Sequence, residues 1–275
     1  MRIRIAHRTA YSYSAPVRLD PQVVRLKPAT DARQRLLSWA LAVDPADAKV
    51  AEALDASGFW ATTLATEAGL ERFVLETESL VETMPLPPID SAPRLPWRDP
   101  ALLPEGARAW RLPRDEDPEV VRFALDVAQG ASWETLPFLG DLARRIHTTH
   151  QHRVRHEGSP WTPRATLDAR EGACRDFAVL FVAACRLLGV PARFVSGYRV
   201  IEATRQGQEL HAWAEAWIPG HGWRGFDPTD GRPVEDRHVA VAAGSVAEAA
   251  PVTGTFWGPA GVVSRLETRV DARIE

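Results

Sequence analysis

Cys174, His211 and Asp227 are, in that order along this 275-residue chain, a nucleophile, a base and a carboxylate. Cys174 opens a run in which Phe177, Phe181, Ala184 and Leu188 recur at helical spacing, while Val179, Leu180, Val182 and Leu187 fill the other sides. A segment apolar nearly all round predicts a buried helix. Gly189 and Pro191 stop it. A cysteine in the first turn sits where unpaired N–H groups and the helix dipole favour a thiolate. Free cysteines are also common small core residues, so Cys174 alone decides nothing.

The strands downstream supply the partners. Pro191 to Ile201 reads as one strand, Leu210 to Ile218 alternates strictly, and Trp223 to Thr229 reads as a third after the turn Pro219-Gly220-His221-Gly222. His211 begins one strand and Asp227 ends the next. An imidazole can take a thiol proton, and a carboxylate behind it can fix the ring's tautomer. On adjacent antiparallel strands the pair must share a face, which requires an odd-length loop. Pairing Ile218 with Gly222 sets Asp227 across from Trp213 and diagonal to His211, within reach at roughly 7–8 Å between Cα atoms. A regular two- or four-residue hairpin would break the arrangement. Trp213, Glu215 and Trp217 share the face of His211, and Ala212, Ala214, Ala216 and Ile218 take the other, which predicts something large packed closely there. Trp213 reads equally as a cleft wall or a core aromatic. Glu215 is the alternative carboxylate, disfavoured because it lies two residues from His211 on one strand.

In order and spacing, GACRDFAVLF, GVPARFVSGY, HAWAEAWIPGHGW and GFDPTDG resemble the core of the bacterial transglutaminase-like superfamily, a papain-related group. The resemblance covers residues 115–235, and the flanking β-rich segments are similar to the N-terminal domain and tail often attached to that core. It implies an α+β fold: a papain-like or transglutaminase-like core of helices on an antiparallel sheet, with an N-terminal β-rich domain. It also implies Cys174 as nucleophile, His211 as base and Asp227 as orienting carboxylate. The implied activity is thiol-dependent acyl transfer on a peptide or protein amide through a thioester, with hydrolysis (peptidase or amidase) expected first. The alternatives are cross-linking of glutamine to an amine acceptor, and a non-catalytic binding or scaffold member of the same fold. No cofactor is implied.

Composition narrows the classes further. A chain 45% hydrophobic and 25% charged is neither disordered nor membrane-spanning in character, and a net charge of −3 gives no footprint for nucleic acid or anionic lipid. The two cysteines, Cys174 and Cys185, fall on one expected helix about 16 Å apart, too far for a disulfide. The charged, alternating Met1 to Arg8 is unlike a signal peptide, and a free thiol suits a reducing compartment, so the cytoplasm is expected.

Residues 1–84 read as mostly β, with strand candidates at Gln22–Leu26, Leu36–Val43, Phe59–Leu64 and Phe73–Thr77. Nothing there looks chemical. Seven prolines between Pro85 and Pro104 mark a linker over 85–114, and Leu95, Trp97 and Leu102 predict that it packs on a domain surface. Helices are expected from Asp117 to Gly130 and from Thr135 to Thr149. Residues 236–275 are expected as a β tail on an existing sheet, with Val262, Leu266, Val270 and Ile274 facing inward. His147, His150, His152 and His156 invite a metal reading, but no thiolate or carboxylate stands at ligand spacing, so no metal is expected. Asp230, Asp236 and His238 read as loop residues. Arg175 and Asp176 match the motif without an evident role, and Trp161 and Gln151 carry backbone N–H groups suited to a second oxyanion donor.

Overall fold

Alternating apolar residues in the first strand set how the N-terminal part assembles. Ile3 and Ile5 are buried where Arg2 and Arg4 face outward, along a strand running Arg2–Leu19 (β1). The computed structural model describes all residues except 68, 98, 100–102, 114–116, 156–157 and 202–209. After β1 come Gln22–Val24 (β2), Gln34–Asp44 (β3), Lys49–Leu54 (β4), Trp60–Ala65 (β5) and Leu70–Thr83 (β6). β1 pairs with β6 and β6 with β3, while β2 pairs with β5 and β5 with β4, all antiparallel. Val17, Leu19, Val24, Leu26, Leu64, Phe73 and Leu75 fill the space between the two sheets. The sequence does not announce β4, because all six of its residues are exposed and no face has to be apolar.

Among the described residues, three helices of 13 to 15 residues and two short ones follow. They run Glu105–Arg108 (α1, inside the expected linker), Pro118–Gly130 (α2) and Thr135–Thr149 (α3), then a short strand Gln151–His152 (β7). Pro163–Ala169 (α4), Glu171–Gly172 (β8) and Cys174–Leu187 (α5) complete the helical half. Asp117 caps α2 by accepting from the Glu119 N–H at 2.8 Å. The proline-rich segment is strapped down: Leu95 and Trp97 are buried, and the Trp97 N–H donates to the Leu188 carbonyl at 3.0 Å. Gly189, at φ +78°, ends α5, and a Cβ there would lie 2.2 Å from the Trp97 carbonyl oxygen. Leu102 lies outside the described residues.

The β half is built from Ala192–Arg199 (β9), Leu210–Ile218 (β10), Gly222–Asp227 (β11), Arg232–Pro233 (β12) and His238–Gly244 (β13). Their order is β12-β11-β10-β9-β13, antiparallel throughout. Val252–Thr253 (β14), Phe256–Trp257 (β15) and Ser264–Ile274 (β16) close the chain. Residues 236–275 therefore spread over three sheets: β13 joins the β10 sheet, β14 pairs with β2, and β15 and β16 pair with β1. Within β16 only Val270 and Ala272 are buried, and Leu266 is 53% exposed, so its apolar stripe is used at one end.

The alanine face of β10 meets the helices as its residue sizes require. Ala214, Ala216 and Ile218 pack with Phe177, Phe181 and residues of α2 and α3, and Phe181 stacks on Phe226 at 5.6 Å. The other face meets the N-terminal part, where Trp213, Val195 and Ala240 pack with Ala29 and Phe59. On that face Glu215 is fully buried, held by Arg193 at 2.8 Å and by Arg33 from the N-terminal part. Burial would raise its carboxyl pKa, but the two guanidinium charges outweigh that and hold it below the usual value. Replacing Glu215 by Ala leaves Arg193 buried without its carboxylate, while Arg33 keeps Asp31, and is expected to cost about 3 kcal/mol in urea unfolding at pH 7. Because the folded-state pKa is depressed, this contribution is present above the ordinary carboxylate range and lost as pH falls through the folded value. The difference between wild type and Glu215→Ala should therefore shrink in acid. A second expectation concerns Gly197, where a Cβ would meet the Val239 carbonyl oxygen at 2.1 Å and the Trp213 ring at 2.5 Å. Gly197→Ala should lower stability by at least about 1–3 kcal/mol, read in the same melts.

Candidate active site

The start of α5 is fixed by a side chain three residues into it. Asp176 is fully buried and accepts from the Ala173 N–H at 2.7 Å, closing the first turn. The same carboxylate accepts from the Trp161 N–H at 2.8 Å and from Arg155 at 2.7 Å, which pins the preceding loop to the helix. Arg175 donates to the Arg155 carbonyl at 2.6 Å from the neighbouring position. Gly172 leaves the room this needs, since a Cβ there would lie 3.0 Å from Asp176 and 3.1 Å from Phe177. Cys174 is then the first helical residue, with no carbonyl one turn back to receive its N–H.

β10 and β11 adopt the odd-loop register. Ile218 pairs with Gly222 and Ala214 with Phe226, and the His221 N–H closes on the Ile218 carbonyl at 2.9 Å. His211 Nε2 lies 2.6 Å from Asp227 Oδ2, and Asp227 Oδ1 accepts from the Thr229 N–H at 2.9 Å. A carboxylate only accepts, so Nε2 donates and Nδ1 is the ring atom left for the sulfur. The Cys174 thiol stands beside the His211 side chain and the backbone of Ala212, near enough for both to act on its pKa. The structure thus brings the three residues singled out from sequence together: His211 on Asp227, and Cys174 beside His211.

Electrostatics follow from this contact. Burial would raise the Cys174 pKa, but the hydrogen bond and charge of His211, with the Ala212 backbone, hold it below the usual thiol value. Burial would lower His211, but the charge and hydrogen bond of Asp227, together with Cys174, push it up to about 9. Burial would likewise raise Asp227, and the two histidines facing it, His211 first, keep it ionised far below the carboxylate range. Both shifts act toward the thiolate–imidazolium form of the pair. Cys185, on the same helix and wholly buried, goes the other way: desolvation pushes its thiol up.

Other residues fall where their surroundings put them. Glu215 is spent on Arg33 and Arg193 and is no substitute for Asp227. Trp213 is 1% exposed, a core aromatic at the junction of the two parts rather than a cleft wall. His147 bonds the Thr229 carbonyl at 2.7 Å, His150 is buried against Phe177 and bonds Thr149, and His152 is exposed on β7, so these imidazoles serve separate contacts. His156 lies outside the described residues. The N–H of Trp161 is taken by Asp176 and that of Gln151 by the Arg170 carbonyl, so neither is the second oxyanion donor. Asp230 pairs with Arg199. His238 is no loop residue: it opens β13, and its Nε2 lies 3.2 Å from Asp227 Oδ2. The nitrogens of His211 and His238 and the Asp227 oxygen all lie within 4.8 Å of one another, a set that could hold a metal ion. At 2.6 and 3.2 Å the nitrogen–oxygen contacts are those of hydrogen bonds. Nothing in the sequence pairs His238 with Asp227, because β13 reaches the site only through its ladder with β9. A cavity of about 620 Å³ adjoins His238 and Trp213, but Cys174 does not line it, so it is not the reaction cleft.

Comparison with known proteins places this geometry in context. Residues 125–228 match the model of the transglutaminase-like superfamily core, and residues 3–82 match that of the bacterial transglutaminase-like N-terminal region. An uncharacterized protein of Mycobacterium tuberculosis is 32% identical over 278 residues, spanning 93% of this chain and 88% of its own. A protein-glutamine gamma-glutamyltransferase of Pseudomonas aeruginosa is 34% identical over 116 residues, which is 33% of this chain and 17% of that protein. The fold is shared with a solved candidate cysteine protease of Cytophaga hutchinsonii: TM-score 0.77 at 21% identity, over 99% of this chain and 90% of that one.

The ion pair has a direct readout in alkylation. With iodoacetamide at pH 6, Cys174 is expected to react at least about tenfold faster than Cys185, mapped by peptide mass spectrometry, because its thiolate is stabilised and Cys185 is also closed to solvent. Asp227→Asn removes the charge that raises His211. Since one pKa unit is a tenfold change in population, the Cys174 rate at pH 6 should fall by about tenfold or more.

Proposed function

The chain belongs to the transglutaminase-like superfamily, and we propose that it is a thiol-dependent acyl-transfer enzyme that cleaves an amide bond in a peptide or protein. The observation that carries this reading is the 2.6 Å His211–Asp227 contact at the tip of the helix that begins with Cys174, with the thiol beside that ring held low and the imidazole raised. In the proposed cycle the Cys174 thiolate attacks the amide carbonyl carbon. The carbonyl oxygen takes the electron pair as an oxyanion, and the Cys174 N–H at the helix tip donates to it. One such donor is typically worth roughly 3 kcal/mol of barrier. As the C–N bond breaks, the His211 imidazolium protonates the departing amine, leaving a thioester on Cys174. Water then gives a proton to His211 as it attacks the thioester, the acid product leaves, and the thiolate–imidazolium pair is restored. Asp227 stays ionised throughout and keeps Nδ1 turned to the sulfur.

Hydrolysis is favoured because Cys174 is only half buried, so water reaches the thioester. The second reading, transfer to an amine, is favoured by one observation, the likeness of a third of the chain to a protein-glutamine gamma-glutamyltransferase. In that case an amine replaces water in the last step and the rest is unchanged. A reducing compartment suits either reading, since the reaction needs a free thiol.

Both readings are tested by incubating the protein with glutamine-containing peptides, with and without a labelled primary amine. Released ammonia or new peptide termini exceeding amine incorporation is expected; incorporation outrunning release would reverse the order of the two readings. Cys174→Ala should abolish turnover in either assay, and His211→Gln should lower it by about 10²–10⁴-fold, the usual worth of a general acid–base. Turnover surviving Cys174→Ala would remove the thiol from the mechanism.

A further inference from the structure

Asp227 is held from three sides, and only one of them is the His211 ring. Its Oδ1 accepts from the Thr229 N–H at 2.9 Å. Its Oδ2 lies 2.6 Å from His211 Nε2 and 3.2 Å from His238 Nε2, with Arg199 Nη1 at 3.6 Å and drawn away by its pairing with Asp230. His238 is as fixed as the carboxylate. It is the first residue of β13, paired in register with Arg199 of β9, and its side chain is 5% exposed. The Trp213 ring stands at 5.3 Å in an edge-on contact. Because a carboxylate only accepts, His238 Nε2 must carry the hydrogen and donate. Its Nδ1 is buried without a partner among the described residues, so the Asp227 contact is the only hydrogen bond this ring makes there.

A carboxylate tied only to His211 and Thr229 retains freedom to turn about its terminal torsion, which is broad for aspartate. A second donor on Oδ2, from a strand on the far side of β9, removes that freedom and sets the plane in which His211 is held. We propose that His238 is a positioning residue of the site, acting through Asp227 to hold the His211 ring in register with the Cys174 sulfur. This rests on the thiolate–imidazolium reading of the pair. His238 touches neither sulfur nor substrate, and its effect is on how well the ion pair is kept.

The ionisable groups facing this cluster are Cys174 from α5, Asp227 from β11, Arg199 from β9, Asp230 beyond β11, and His152 from β7, whose pKa burial and then the His211 charge lower. None of them is altered by a substitution at 238. The full chain should be compared as wild type, His238→Phe and His238→Gln. Phenylalanine fills the space beside Trp213 without a donor, and glutamine keeps an N–H that can reach a carboxylate. Cys174 alkylation by iodoacetamide from pH 5 to 9 reads the ion pair, and melting temperature reads packing. His238→Phe should alkylate about tenfold more slowly at pH 6, with its acid limb moved to higher pH. His238→Gln should stay within about threefold of wild type. An unchanged profile in His238→Phe, or an acid limb moved to lower pH, would overturn the proposal. Equal slowing in both variants alongside equally lowered melting temperatures would also overturn it, by making the ring a filler. If wild-type Cys174 reacts no faster than Cys185, the thiolate reading itself fails, which is a different result from the first three.

Discussion

A charge buried away from water must be answered by protein groups, and the Asp227 carboxylate, with no exposed side-chain surface, is the constraint around which the sheet of β9 to β13 is arranged. The answers come from three strands and a turn: His211 on β10, Arg199 on β9, His238 on β13 and the Thr229 N–H. Each can arrive only if the sheet has the order β11-β10-β9-β13 and the hairpin has an odd loop. Shifting β11 by one residue would turn Asp227 to the helix face and leave a carboxylate among Phe181 and its neighbours. Register, sheet order and ionisation are thus one requirement.

The sulfur reaches the ring because one face of β10 is nearly featureless. Ala212, Ala214 and Ala216 let α5 come down close, and bulk on the helix side, Phe177 and Phe181, fills the gap. The helix tip then sits level with the start of β10, where His211 is. Cys174 and Cys185 show what that placement is worth. They share a helix and a residue type, yet one thiol is lowered by an imidazole and the other raised by hydrocarbon. Burial acts on both in the same direction; the partner decides.

Much of this could be read from the residues alone, and the remainder has a common cause. Cys174, His211 and Asp227 were legible as a helix start, the first residue of an alternating strand and the end of the next strand, with an odd loop demanded by parity, while their roles came from the family resemblance of the surrounding motifs. Helices α2, α3 and α5 were legible from caps and periodicity. What escaped was set by pairing between distant segments. His238 sits in the polar run Glu235-Asp236-Arg237, which looks like a loop until β13 is laid on β9 rather than on its sequence neighbour. Asp176 looked like an ordinary first-turn acid, and its hold on Trp161 and Arg155 depends on where a preceding loop returns. Glu215 was visible on the His211 face, but Arg33 lies 182 residues earlier. β4 failed for a different reason: an edge strand exposed on both faces carries no alternation to detect.

The N-terminal sheets then have a structural task that their sequence, empty of chemistry, conceals. The face of β10 that starts with His211 continues through Trp213 to Glu215, and both later residues are held by the N-terminal part, by Ala29 and Phe59 in one case and by Arg33 in the other. β9 is tied in the same way, with the Tyr198 hydroxyl 2.7 Å from His7 Nδ1 of β1, one residue before Arg199. After β13 the chain returns to the N-terminal part, β14 pairing with β2 and β15 and β16 with β1. The strands that bear the imidazole and surround the carboxylate are therefore held from behind by the N-terminal sheets. On this architecture the N-terminal part is a frame for the site, and loosening it at Glu215 acts on the same strand that presents His211.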